Sequence, residues 1–98
     1  MGSDKLEAQF QRIADAVEQQ ESDRVVTEAL TAAHALCVTV AAHAPTAQAR
    51  TVLTNVQTAL ETWQTVWPRL GAQQEFRQAV AREAHFWARK LGGLADDR

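Results

Sequence analysis

Apolar side chains recur along this chain at alternating steps of three and four residues, in four successive runs. That spacing holds side chains on one stripe of an α-helix and scatters them over both faces of a strand, so it leaves amphipathic helices as the building block. The first run, about residues 4–20, carries Leu6, Phe10, Ile13 and Val17, with Ser3 placed as an N-cap. The second, about 23–44, carries Val26, Leu30, Ala33, Cys37, Val40 and Ala44, and Ser22 stands where its cap belongs. The third, about 47–67, carries Leu53, Val56, Leu60, Trp63 and Trp67. The fourth, about 73–91, carries Phe76, Val80, Ala84, Trp87 and Leu91, and the glycines at 92 and 93 read as its stop, leaving 92–98 as a tail.

Pro45 separates the second run from the third, and Pro68 to Gly71 separates the third from the fourth, because proline lacks the amide a helix needs and restricts the residue before it. Between the first and second runs there is no Gly or Pro. Here the phase decides: at about 100° per residue the second stripe lies nearly opposite the first, so one straight helix could not turn both toward one core. Ser22 is therefore expected to begin a new helix. Short connections between helices of similar length, with a 3-4 seam, predict an up-down antiparallel four-helix bundle; the alternatives are a three-helix bundle with a bent first helix, or a helical hairpin completed by dimerisation. At 98 residues the chain is expected to form a single helical domain with one modest core.

The stretch ETWQTVWPRLG, residues 61–71, tests whether aromatic residues mark a binding patch or a core. Val56, Leu60, Trp63 and Trp67 fall within one arc of about 60°, opposite Thr54, Gln57, Thr58, Glu61 and Thr65, which assigns the tryptophans to the core. In an antiparallel hairpin Trp67 lies beside Ala72 and Phe76, and Trp87 is expected at the far end beside Val52 and Leu53. Val52, Ala59 and Val66 widen the stripe toward a second side. Residues 32–44, AAHALCVTVAAHA, are apolar almost all round, with Ala35, Val38 and Ala42 opposite the main stripe. In a bundle of four short helices none is central, so a second covering surface must come from outside. Close packing against a second copy, giving an isologous homodimer, or against another protein, supplies it.

Most chemistries lack their residues. The Glu-x-x-His repeats of di-iron bundles do not occur. His34 and Cys37 stand at i and i+3, half of a metal site, but no second pair completes it and His43 lies about 180° from His34, so no metal or cofactor is implied. The four glycines, Gly2, Gly71, Gly92 and Gly93, build no phosphate loop. The chain reads as non-enzymatic, a protein-interaction or assembly module such as a small subunit, an adaptor or a chaperone-like protein. Its net charge of −2 divides unevenly, −4 over residues 1–49 and +2 over 50–98, which hints at how the halves meet or at a weak anionic partner. The basic excess includes a stripe on the last helix, Arg82, His85 and Arg89, with Lys90 and Arg69 nearby, and this stripe makes binding to a nucleic-acid backbone the second reading. No apolar run of the length that spans a bilayer stands out, and the first ten residues lack a signal-peptide pattern, so the expected setting is cytosolic, away from membrane. The lone cysteine is compatible with a reducing compartment. Arg outnumbers Lys eight to two, the usage expected of a GC-rich bacterial or phage genome.

Overall fold

A computed structural model of the chain describes residues 2–96, which form α1 (Gly2–Glu18), α2 (Asp23–Ala42), α3 (Ala47–Leu70) and α4 (Gln74–Asp96). The helices pack as an antiparallel four-helix bundle about 39 Å long and 20 by 18 Å across. The three-helix alternative fails because α1 and α2 are separate. Their break needs neither Gly nor Pro: Gln20 takes the left-handed conformation, φ 56°, while Gln20 N donates to the Val17 carbonyl (3.2 Å) and Glu21 N to the Ala16 carbonyl (3.0 Å). This is the closure that terminates helices, normally with glycine at the left-handed position; a glutamine there costs about 1 kcal/mol. Ser22 then caps α2, its Oγ accepting from Val25 N at 3.4 Å, and Thr46 caps α3 by accepting from Ala49 N at 3.0 Å.

Several boundaries differ from the sequence expectation. Ser3 is not a cap, because α1 already begins at Gly2. At their far ends α1 stops at Glu18 and α2 at Ala42, two residues early in each case. α3 runs through Pro68 to Leu70; proline in the last turn forfeits only one hydrogen bond, and Gly71 N closes the helix on the Trp67 carbonyl at 2.8 Å. α4 does not stop at the glycines but continues to Asp96, so residues 92–96 are helix rather than tail; 97 and 98 lie outside the described residues.

Packing explains that continuation. A Cβ placed on Gly92 would lie 3.1 Å from Glu7 Oε2, so the missing side chain gives α1 room, and beyond it Leu94 packs on the core. Gly93 has no such duty: it is exposed, and a methyl group added there would meet nothing within 4 Å. Gly93→Ala is accordingly expected to stabilise the bundle by about 0.5 to 1 kcal/mol, read as a raised midpoint in urea unfolding.

The core is continuous across all four helices and includes Leu6, Phe10 and Ile13 of α1, Val26 and Leu30 of α2, Val56 and Leu60 of α3, and Val80 and Leu91 of α4. Trp63 and Trp67 are 4% and 3% exposed, which settles their place as core. Trp63 meets Phe10 edge-on with ring centroids 6.0 Å apart, and Trp67 lies 5.7 Å from Phe76. Helix spacing follows side-chain size. α1 and α4 make the most extensive contact, with Ala14 and Ala16 buried on one and Ala81, Ala84 and Ala88 on the other. Of the helix pairs in contact α3 and α4 touch least, with the rings of Trp67 and Phe76 between them.

Trp87 is half-buried against the core with Phe86 5.0 Å from its ring, and Leu94, on the turns of α4 beyond the glycines, lines the far end together with Leu53. One expectation needs correction. α2 is long and apolar enough, by length and composition, to cross a membrane, because its charges, Asp23, Arg24 and Glu28, cluster in the first two turns. In the bundle it forms one wall, with Val26, Ala29, Leu30, Ala33 and Cys37 buried.

Candidate interaction surfaces

The outer face of α2 is uncharged over residues 31–42 apart from the half-buried His34 at its side. Ala35, Val38 and Ala42 are all exposed, Val38 at 46%, and Thr31, Ala32 and Thr39 flank them. The Thr39 hydroxyl donates to the Ala35 carbonyl at 3.3 Å, so this face asks little of solvent. Arg24 and Glu28, paired at 3.0 Å, bound it at the N-terminal end of the helix. Its small side chains would let another backbone come close.

Val52, Ala59 and Val66 on α3 are half-buried. Val52 and Ala59 pack against the core, so this flank is largely taken up within the bundle. It does not join the α2 face, since the solvent side of α3 lies beyond it. There Thr51, Thr54, Thr58, Thr62 and Thr65 each donate to the carbonyl four residues earlier, at 2.9 to 3.1 Å.

The basic stripe of α4 is less free than its spacing implied. His85 is half-buried and its Nε2 sits 3.2 Å from Glu18 Oε1 on α1. Lys90 lies over the Phe86 ring, 5.7 Å from its centroid, with Phe86 itself 42% exposed. Arg82 and Arg89 remain exposed, about 10 Å apart along the helix. Two separated cations beside a carboxylate make a small footprint for a phosphate backbone, whose affinity grows with each phosphate neutralised. Across the halves Arg77 stands 3.9 Å from Asp23, and His85 lies against Glu18.

His34 and Cys37 do not converge on a common site. His34 Nε2 is 3.1 Å from Glu61 Oε2 on α3, and Gln57 Nε2 donates to the same oxygen at 3.3 Å. These hydrogen bonds, the one with His34 first, hold the Glu61 carboxyl below its ordinary pKa. Cys37 is fully buried and its thiol donates to the Leu53 carbonyl at 3.5 Å. Burial, and secondarily the charge of Glu61, push that thiol up to about 11, so at neutral pH it is a protonated core group rather than a nucleophile or soft ligand. Among the described residues no three His, Cys, Asp or Glu side chains gather as a metal site would require.

The residue that sequence reading missed is Arg77. It is only 9% exposed, and its guanidinium donates to the carbonyls of Gly71 (2.9 Å) and Val17 (3.3 Å) while lying over the Trp67 ring at 5.2 Å. It fastens the end of α1 to the α3–α4 turn. The available signal was its position, four residues before Ala81 and seven before Ala84, on the buried seam of α4.

No protein-family model, curated protein or solved structure matches this chain.

Proposed function

We propose that this bundle is a non-catalytic assembly module that pairs with a second copy of itself through the outer face of α2, and that it works in the cytosol, where the lone thiol of Cys37 needs no partner. The observation that carries this reading is the exposed, uncharged strip of Thr31, Ala32, Ala35, Val38, Thr39 and Ala42 on the most apolar helix of the four. One side of α2 is satisfied by the core, and the other is too apolar to be explained by solvent exposure alone. A twofold axis across Val38 would set this strip against itself and let the small residues interdigitate. His34, Glu61 and His85 are engaged in cross-helix pairs, and Cys37 is sealed in the core.

The test is solution mass by light scattering across a wide concentration range. A dimer is expected for the native chain. Val38→Glu, at an exposed position that leaves the core intact, is expected to raise the dimer dissociation constant at least about 100-fold by placing carboxylates in a dry contact. A native chain that is monomeric at every concentration, or a Val38→Glu variant that stays dimeric, overturns the proposed contact.

A further inference from the structure

Aromatic rings close one end of the bundle, and the other end is open. Around the α3–α4 turn, Trp67 and Phe76 fill the space between helices. At the opposite end, where α2 leads into α3 and α4 finishes, no ring among the described residues takes that place. Past Cys37 the inward positions of α2 are only half-buried, and a cavity of about 320 Å³ opens between the helices. Its walls are Leu36, Val40 and Ala44 of α2 and the loop after it, Ala49 and Leu53 of α3, and Leu94 of α4. The side chains there are too short to meet across the gap, and Ala44 and Ala49 are the reason it persists.

The rim has a different chemistry. Ser3 and Lys5 of α1, Thr39 of α2 and His43 just after it border the cavity, and no Asp or Glu among the described residues lines it. Among the described residues neither Lys5 nor His43 forms an ion pair with a carboxylate. Thr39 has already committed its proton to the Ala35 carbonyl. The rim therefore offers one ammonium, one imidazole and one serine hydroxyl above an apolar chamber.

We propose that this end of the bundle is a binding site for a small amphipathic monocarboxylate: an alkyl chain seated among Leu36, Val40, Leu53 and Leu94, with its carboxylate at the Lys5 and His43 rim. The volume is at the lower end of the range for small-molecule sites, about 300 to 1,000 Å³, so the ligand is a short or medium chain. A single fixed cation with neutral donors suits a monovalent head better than a dianionic phosphate, which would call for more positive charge. Ala35, Val38 and Ala42 of the proposed dimer contact are not among the residues that line the cavity; Thr39, at the edge of that strip, borders both, and the alkyl chain is seated on Leu36, Val40, Leu53 and Leu94 instead.

The probes are hexanoate, octanoate and decanoate, titrated below their micellar concentrations, with octanol and octylamine as controls. Binding is read by calorimetry and by the methyl resonances of Leu53 and Leu94. The expected result is saturable binding that tightens about fourfold per methylene until the cavity is full, with shifts at both leucines. Octanoate should bind at least tenfold more tightly than octylamine. Lys5→Ala, at an exposed position, should weaken octanoate at least fivefold and leave octanol unchanged. Ala44→Phe should block all three chains while circular dichroism shows the helices intact. No shift at Leu53 and Leu94, an affinity insensitive to Lys5→Ala, or tighter binding of octylamine than of octanoate would each overturn the proposal.

Discussion

Replacing Trp63 by alanine is expected to lower the free energy of unfolding by about 3 to 5 kcal/mol, a large part of the roughly 5 to 10 kcal/mol a bundle of this size possesses. The indole is 4% exposed, so its removal opens a cavity in the core. Phe10, whose ring stands edge-on to it at 6.0 Å, belongs to α1, so the cavity would open between α1 and α3. Urea unfolding followed by circular dichroism measures the loss. Trp87→Ala supplies the contrast: that ring is only half-buried, and its removal should cost less than half as much. Equal losses at the two positions would mean that the core is not centred on Trp63.

The second large effect is at Arg77. Arg77→Met keeps most of the aliphatic bulk and removes the guanidinium, leaving the carbonyls of Gly71 and Val17 without the donors that reach them at 2.9 and 3.3 Å. Hydrogen bonds from a charged group to buried carbonyls contribute about 1.5 to 3 kcal/mol, and the stacking over Trp67 at 5.2 Å adds to this, so a loss of about 2 to 3 kcal/mol is expected. Arg77→Lys should recover only part of it, because an ammonium lacks the planar fork that serves two acceptors while lying on an indole. Urea midpoints of the three proteins decide the matter. Full recovery by lysine would reduce the role of Arg77 to its charge.

The helical periodicity made the fold legible, since a 3-4 stripe in four phases has few other solutions. Legibility failed where tertiary packing outweighed a local signal. The glycines at 92 and 93 look like a stop, yet Leu91 and Leu94 gain more by staying helical against the core than the backbone loses. Arg77 was hidden for a different reason: an arginine on a seam looks like an edge residue until two helix-end carbonyls, one of them sixty residues away, are brought beneath it. His85 was placed facing outward on α4, and only the approach of α1 gives it Glu18 as a partner. The α2 face could be recognised as unusually apolar from composition alone, but composition carries no information about what covers it.

The pairing of α1 with α4 has a consequence for how the molecule comes together. The closest helix pair joins the first and last elements of the bundle, whereas α3 and α4, which are adjacent in the chain, touch least of the pairs in contact. Stability therefore rests on contacts of long sequence separation, whose loop-closure entropy must be met before they contribute. During synthesis α1 emerges before α4, so the side of α1 that α4 covers stays bare until α4 has left the ribosome. A ribosome that pauses after α3 would present a three-helix intermediate with that face of α1 bare.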